Sequence, residues 1–206
     1  MQIETYADRD MLALLVADKL AGELKQCLLR HEIASFVAPG GTSPGPIFDA
    51  LCAADLEWER VHVLLSDERW MPEDNPRSNA ALVRQHLLVD RAAKATFLPF
   101  FKADATPESA AADLSDRLQP ELPISLMLLG MGADMHTASL FPGADRLDDA
   151  LAPAAPPLMA MRAPGAPEPR VTLTAPVLQA AMNTHILITG SEKRDALERA
   201  QTSTPQ

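Results

Sequence analysis

The sequence predicts an α/β fold built on a mostly parallel sheet. Short apolar runs alternate with helical patterns along the chain, the order typical of strands joined by crossover helices. The run at residues 124–129, ISLMLL, is continuous and apolar, as expected for a central strand that is buried on both faces. The 206 residues are 47% hydrophobic and 22% charged, which is enough for a core without disulfides or metals. We therefore expect a single α/β domain over residues 1–206.

Apolar spacing, glycine and proline place the individual elements in order. Helical spacing predicts helices near residues 8–31, 44–53, 75–88, 107–118, 176–182 and 190–200. Apolar runs predict strands at residues 34–38, 61–66, 95–100, 124–129 and 185–189, and a further element begins at residues 170–174. The proline-rich stretch 151–169 is expected to be irregular, with one short strand near residues 158–162. Three loops, at residues 39–45, 66–72 and 130–137, follow predicted strands, and ligands of open parallel sheets bind at that edge.

Charge and composition exclude several classes of function. The formal net charge of −10 argues against a nucleic-acid partner, because phosphate backbones need a basic surface. The N-terminus is polar and acidic, so it is not a signal peptide, and no apolar run approaches the length of a membrane span. Cys27 and Cys52 lie in apolar helical contexts and are expected to be free core thiols. We expect a cytoplasmic protein, with a monomer favoured and a small molecule as partner.

The loop at residues 39–45 joins a predicted strand to a predicted helix. Gly40 and Gly41 allow a sharp turn and a close approach of the backbone to a ligand, and free N–H groups near a helix start favour an anion. Thr42 and Ser43 add hydroxyl donors, so we interpret the loop as a phosphate-binding turn; the alternative is a plain turn in which one hydroxyl caps the helix. The loop also matches the G-x-S-x-G pattern of serine hydrolases, but Pro44 lacks the N–H that their oxyanion hole requires.

The loop at residues 66–72, SDERWMP, contains a cation beside two carboxylates. Arg69 has the planar group that binds phosphate or carboxylate oxygens in a fork, and Asp67 is a candidate to hold Arg69 or a helix start in place. The alternative is a surface ion cluster with a helix cap at Asn75, Ser78 or Asn79.

The loop at residues 130–137 follows the most apolar predicted strand and contains the candidate general base. Imidazole accepts a proton from water near neutral pH, and His136 has a carboxylate, Asp134, two residues away to orient it. The alternative is a histidine that packs or caps at a helix start. His62 and His185 lie in predicted strands and are expected to be buried structural groups.

Taken together, the three loops resemble the 6-phosphogluconolactonase family. The matching segments, in chain order, are GGTSP at 40–44, SDER at 66–69 with Pro72 and Ser78-Asn79, LLGMG at 128–132 with Asp134, HTASLFPG at 136–143, RVTLT at 170–174, and Gly190 with Lys193. The match spans nearly the whole chain, and the segment around His136 is the most specific part of it.

The resemblance implies hydrolysis of 6-phospho-D-glucono-1,5-lactone to 6-phosphogluconate without a metal or cofactor. It implies a Rossmann-like, mostly parallel sheet with helices on both faces, shared with sugar-phosphate deaminases and isomerases. By position, the resemblance implies that His136 is the base and Asp134 its neighbour. It implies that Arg69 and the residues at the rim of the substrate site contact the lactone or its phosphate. Those rim residues are Gly40, Gly41, Thr42, Ser43, Asp67, Arg170 and Lys193.

Two departures from the family pattern and two rival functions follow from the same comparison. The family has glycine where Met135 stands, so a left-handed backbone conformation at Met135 would be strained. The family also continues beyond the last helix, so we expect a closing C-terminal segment to be missing from this chain. A glucosamine-6-phosphate deaminase would carry Glu at Phe141 and Tyr at Arg69. A sugar-phosphate sensor that binds without turnover would keep Arg170 and Lys193 but would not need His136.

Overall fold

The computed structural model describes residues 2–202. Its strands are β1 Ala34–Ala38, β2 Val61–Leu65, β3 Asp67–Arg69, β4 Thr96–Phe97, β5 Leu126–Gly130, β6 Leu158–Met161, β7 Arg170–Leu173 and β8 Thr184–Leu187. Its α-helices are α1 Arg9–Leu28, α2 Gly45–Leu51, α3 Asn79–His86, α4 Pro107–Leu118, α5 Leu147–Leu151, α6 Ala175–Ala180 and α7 Ser191–Thr202.

Five parallel strands form the main sheet, in the order β4-β2-β1-β5-β8. The chain builds outward from β1 through β2 to β4, then returns to the other side of β1 for β5 and β8. Crossovers between parallel strands are right-handed, so this reversal puts α2 and α3 on one face and α4 on the other. The predicted α/β class with a mostly parallel sheet is confirmed, and the reversal point lies between β1 and β5.

A second sheet of three antiparallel strands, in the order β3-β7-β6, was not predicted. Residues 66–72 were expected to be a loop, but Asp67–Arg69 is a strand that pairs with β7, so that Arg69 lies directly opposite Arg170. The expectation was wrong because a charged tripeptide has no apolar alternation, and its strand conformation is imposed by hydrogen bonding to β7, which is distant in the chain.

Several predicted boundaries also shift. The helix expected at residues 75–88 spans Asn79–His86, because Ser78 caps it by accepting a hydrogen bond from the backbone N–H of Ala81 at 3.2 Å. The strand expected at residues 124–129 runs from Leu126 to Gly130. His62 and His185, which were expected to be buried, are only partly buried, and each imidazole meets a carboxylate, that of Glu121 at 2.8 Å and that of Glu23 at 2.9 Å.

The core lies between the main sheet and its helices. Helix α1 buries one stripe of side chains at helical spacing, Ala13, Ala17, Leu20, Leu24 and Leu28, and packs on α2. The central strands β1, β2 and β5 are almost entirely buried. Helix α4 packs against β6 and β7 of the second sheet. Between residues 2 and 202, no helix is long and apolar enough to cross a membrane.

Candidate active site

The three loops predicted to carry the chemistry converge at one edge of the main sheet. They follow β1, β2 and β5, which are adjacent strands, and the first and third loops flank the point at which the strand order reverses. A parallel sheet opens a crevice at such a point, beyond the carboxyl ends of its strands. The crevice is therefore bounded by the glycine loop on one side and the His136 loop on the other.

His136 and Asp134 form a close pair in the third loop. His136 Nδ1 lies 2.6 Å from Asp134 Oδ1, and the side chains are 25% and 50% exposed. Partial burial raises the pKa of Asp134, but hydrogen bonds from the imidazole and backbone N–H of His136 outweigh burial, so the pKa lies below its ordinary value. An ionised Asp134 accepts from Nδ1–H, which leaves the lone pair on Nε2 as the proton acceptor of the ring.

The backbone around the pair is tightly constrained. A Cβ on Gly132 would stand 2.3 Å from both Asp134 Oδ1 and His136 Nδ1, so only glycine fits there. Gly132 donates its N–H to the carbonyl of His136 at 2.8 Å, which closes the turn. Met135, between the two partners, has a φ of 69°, so the strain expected from methionine at this position is present. The pair nevertheless remains in hydrogen-bond contact.

Phe141 connects the imidazole to a buried arginine. Its ring centroid lies 4.2 Å from that of His136, and Arg170 Cζ lies 5.7 Å from the Phe141 centroid. Arg170 is 8% exposed, and burial lowers the pKa of its guanidinium, although nearby carboxylates partly offset that effect. Its Nε is buried without a hydrogen-bond partner in the described structure. A cation with an unused donor is thus held close to the candidate base.

Asp67 lies inside a buried network rather than at the rim of the crevice. Its Oδ2 accepts a hydrogen bond from Ser139 Oγ at 2.6 Å and lies 3.6 Å from Arg170 Nη1. Its Oδ1 accepts from Ser66 Oγ at 2.9 Å. Asp67 therefore faces Arg170, not the expected partner Arg69, and through Ser139 it joins the second loop to the His136 loop.

Glu68, which the sequence did not single out, holds the start of α3. Its carboxylate is fully buried and accepts hydrogen bonds from four donors: the N–H groups of Arg69, Asn79 and Ala80 at 2.8 Å and Ser78 Oγ at 3.0 Å. Burial raises the pKa of Glu68 above its ordinary value, although those donors oppose the rise. Because Glu68 already accepts the backbone N–H of Arg69, that N–H is not free to stabilise an oxyanion.

The guanidinium of Arg69 remains the part of this residue that can meet a ligand. Arg69 Nη1 donates to the carbonyl of Arg77 at 2.7 Å, while Nε is buried without a partner in the described structure. Since Arg69 and Arg170 are register partners on β3 and β7, two guanidinium groups with unused donors lie side by side.

The glycine loop approaches the same network from β1. A Cβ on Gly40 would stand 2.0 Å from Asn79 Oδ1, and Asn79 Nδ2 donates to the carbonyl of Asp67 at 2.8 Å. Gly41 has a φ of 91°, as the sharp turn requires. No hydroxyl of this loop caps α2, whose N-cap is Pro44, so the capping alternative is wrong. Thr42 and Ser43 are exposed, and among residues 2–202 nothing accepts the backbone N–H groups of residues 40–43.

Lys193 lies on a different element from the other predicted residues, after the outermost strand on the β5 side of the main sheet. It is in the first turn of α7, which follows β8, the neighbour of β5, and it is half-buried. Within residues 2–202 no hydrogen bond or ion pair joins it to the other predicted residues. The same part of the chain contains no group of three or more His, Cys, Asp or Glu side chains arranged to hold a metal ion.

The functional residues that sequence reasoning missed are mostly polar and internal. Ser139 and Thr172 lie within the quoted motifs, and the backbone N–H of Ser139 donates to Thr172 Oγ1 at 3.1 Å. Each of the two stands between two apolar residues, and its polarity at that position was the available signal. For Glu68 the signal was its position beside Arg69 ahead of a helix start. Nothing in the sequence alone indicated the partners of Glu168, which are Arg77 and Arg170.

Comparisons with known proteins agree in family and in fold. A family model described as glucosamine-6-phosphate isomerases/6-phosphogluconolactonase matches residues 7–206. A 6-phosphogluconolactonase of Rhizobium meliloti (strain 1021) is 42% identical over 200 residues, which are 96% of this chain and 86% of the relative. A 6-phosphogluconolactonase of Pseudomonas aeruginosa is 43% identical over 188 residues, which are 90% of this chain and 79% of the relative.

A solved structure agrees with the architecture. The crystal structure of a 6-phosphogluconolactonase from Shewanella baltica OS155 superposes with a TM-score of 0.92 at 31% identity, over 96% of this chain and 85% of that one. The resemblance inferred from the motifs is therefore confirmed at the level of family and fold.

Proposed function

Because the chain belongs to the family of glucosamine-6-phosphate isomerases and 6-phosphogluconolactonases, we propose that it hydrolyses 6-phospho-D-glucono-1,5-lactone to 6-phosphogluconate, with His136 as general base. The relatives that share 42% and 43% identity with it bear the name 6-phosphogluconolactonase. The observation that carries the assignment is the His136–Asp134 pair, 2.6 Å apart, at a crevice that also contains buried Arg170.

The chemistry follows from the free nitrogen of the imidazole. Nε2 of His136 takes a proton from water as the water oxygen bonds to the lactone carbonyl carbon, which gives a tetrahedral oxyanion and an imidazolium. The imidazolium is stabilised by ionised Asp134 through Nδ1–H. Collapse of the intermediate breaks the bond to the ring oxygen, which receives the proton from Nε2. The new carboxylic acid then ionises, and His136 is neutral again.

Binding of the substrate phosphate places the carbonyl near the base. Arg69 and Arg170 supply guanidinium donors, and the loop Gly40, Gly41, Thr42 and Ser43 supplies backbone N–H groups and hydroxyls that no described residue uses. Lys193 adds charge at the same sheet edge. Asp67 acts through Arg170 and Ser139 rather than by touching the substrate. Holding both reactants in place in this way lowers the entropic part of the barrier.

The rival activity of a deaminase is disfavoured at Phe141. The deaminases of this family carry a carboxylate at that position for proton transfer during ring opening. Here an aromatic ring packs on the imidazole at 4.2 Å, so no acid stands beside His136 on that side. Arg69 likewise replaces the tyrosine of the deaminases.

The proposal also covers the setting in which the chain acts. We propose a single-domain cytoplasmic monomer, with both cysteines as free thiols, that needs no nucleic acid and no cofactor. The net charge of −10 supports the absence of a nucleic-acid partner, since a small anion needs only local cations.

The test is acid release from freshly prepared lactone, measured against the spontaneous rate. His136→Ala should lose about 10²–10⁴-fold in turnover, the usual contribution of a positioned general base. His185→Ala is a control, because His185 Nε2 also meets a carboxylate, that of Glu23 on α1, at 2.9 Å, and neither residue belongs to the three loops of the crevice. Near-normal turnover in a folded His136→Ala protein would refute the role of His136. Thermal stabilisation by 6-phosphogluconate without any turnover would instead indicate the sensor.

A further inference from the structure

Three arginines gather around one glutamate beside the candidate active site. Arg69 and Arg170 face each other across β3 and β7, and Arg77 reaches the same place from the loop before α3. Glu168 lies among them: its Oε1 is in ion-pair contact with Arg77 Nη2, and its Oε2 is 3.9 Å from Arg170 Nη2. We call these four residues the arginine cluster.

The carboxylate of Glu168 is buried without the hydrogen-bond donors that a buried carboxylate normally has. Both of its oxygens are buried, and neither makes a hydrogen bond of acceptable geometry in the described structure, although the ion-pair contact with Arg77 is close. Its side chain is 13% exposed. The backbone beside it is fixed, because Trp70 donates its N–H to the carbonyl of Pro169 at 2.8 Å. A buried carboxylate normally accepts several hydrogen bonds, so this one is held mainly by charge.

The cations around Glu168 are equally unsatisfied. The Nε atoms of Arg69 and Arg170 are buried and have no partner within residues 2–202. A planar carboxylate on one side of the cluster does not reach them. A phosphate group presents three terminal oxygens in a tetrahedral arrangement and accepts charge-assisted hydrogen bonds from several guanidinium groups at once. The cluster therefore suits a phosphate better than it suits the carboxylate it contains.

We propose that Glu168 is an internal anion that occupies the arginine cluster when the site is empty and that the phosphate group of the substrate displaces. This inference rests on the proposed function for the identity of the ligand. Glu168 then sets the phosphate affinity, because each binding event must first break its contacts with Arg77 and Arg170. The Arg77 side chain is 51% exposed, so this side of the cluster borders solvent, and Glu168 can leave the cluster there without crossing the core.

The direct test measures the affinity for inorganic phosphate, which does not require turnover. Glu168→Gln removes the competing charge and keeps the shape, so the Kd for phosphate, determined by calorimetry, should fall by roughly two- to fivefold, the range that one ion pair of this kind supplies. Glu168→Ala should lower the Kd in the same direction. If Glu168 instead only positions Arg170, both variants should raise the Kd, and a raised or unchanged Kd overturns the proposal.

Glu108→Gln is the matched control. Glu108 also pairs with an arginine, Arg162, at 2.6 Å, but it lies on α4, and its substitution changes the net charge by the same amount. The phosphate Kd of this variant should equal that of the parent. With lactone as substrate, Glu168→Gln should lower KM and leave kcat nearly unchanged. A parent protein without turnover would refute the proposed function alone, whereas turnover combined with an unchanged phosphate Kd would refute only the role of Glu168.

Discussion

Met135 holds a left-handed backbone conformation between the two partners of the His136–Asp134 pair. Its φ of 69° places a long side chain in a region that costs a non-glycine residue about 1–2 kcal/mol. The side chain is 43% exposed, so its removal loses little packing. Met135→Gly should therefore raise the free energy of unfolding by up to about 1 kcal/mol, after the extra freedom of glycine in the unfolded chain is subtracted. Urea denaturation followed by circular dichroism measures this.

Met182 offers a control for the same substitution. It is 51% exposed and lies outside helices and strands, but its φ is not positive. Met182→Gly should lower stability or leave it unchanged, since only the entropic cost of glycine remains. A Met135→Gly protein that is destabilised as much as the Met182→Gly protein would show that the left-handed conformation of Met135 carries no strain.

The lowered pKa of Asp134 gives a pH dependence of definite sign. A carboxylate whose pKa is lower in the folded state than in the unfolded chain stabilises the fold above its ordinary pKa, here 3.8, and loses that effect as the pH falls through the folded-state pKa. The difference in unfolding free energy between the parent and Asp134→Asn should thus shrink as the pH falls below about 5. Denaturation curves from pH 7 to pH 3 test this, and a difference that does not change on acidification would contradict it.

At the scale of elements, the sequence predicts the main sheet well and the second sheet poorly. Strand β5 is predicted by a continuous apolar run, because a central parallel strand is buried on both faces. Strand β3 is not predicted from the sequence, because Asp67–Arg69 contains no apolar residue and its conformation depends on pairing with β7. The Asp134–His136 pair is predictable from its short sequence spacing. The opposition of Arg69 and Arg170, and the partners of Glu168, depend on that non-local pairing.

The junction of β3 and α3 depends on Glu68, whose carboxylate accepts hydrogen bonds from four donors. Glu68→Gln keeps the shape but turns an amide NH₂ toward N–H groups, so at least one buried donor loses its acceptor. Such a loss costs about 1–3 kcal/mol, and we expect the free energy of unfolding to fall by that amount. Glu73→Gln is the control: Glu73 meets Arg84 Nε at 2.6 Å on the surface and should change stability by less than about 1 kcal/mol. Equal effects of the two substitutions would contradict this role of Glu68.

At the scale of the whole molecule, the topology brings three distant loops to one crevice, and buried polar contacts then lock them together. The sequence predicts the first step, because loops after parallel strands share an edge. It does not predict the second, in which Ser139 Oγ donates to Asp67 Oδ2 at 2.6 Å across 72 positions of sequence. Serine and aspartate are common surface residues, and only their burial in the folded chain makes this contact strong.

A double-mutant cycle on Asp67 and Ser139 measures how firmly the loops are joined. Both residues are buried, and a hydrogen bond to a charged group contributes about 1.5–3 kcal/mol. The unfolding free energies of Asp67→Asn, Ser139→Ala and the double variant should therefore deviate from additivity by about 1–3 kcal/mol. Ser35 is also buried, but its Oγ accepts the backbone N–H of Ser125 at 3.0 Å near the opposite ends of the strands. The cycle of Asp67→Asn with Ser35→Ala should be additive to within about 0.5 kcal/mol. Additivity in both cycles would mean that the loops meet at this crevice without depending on one another.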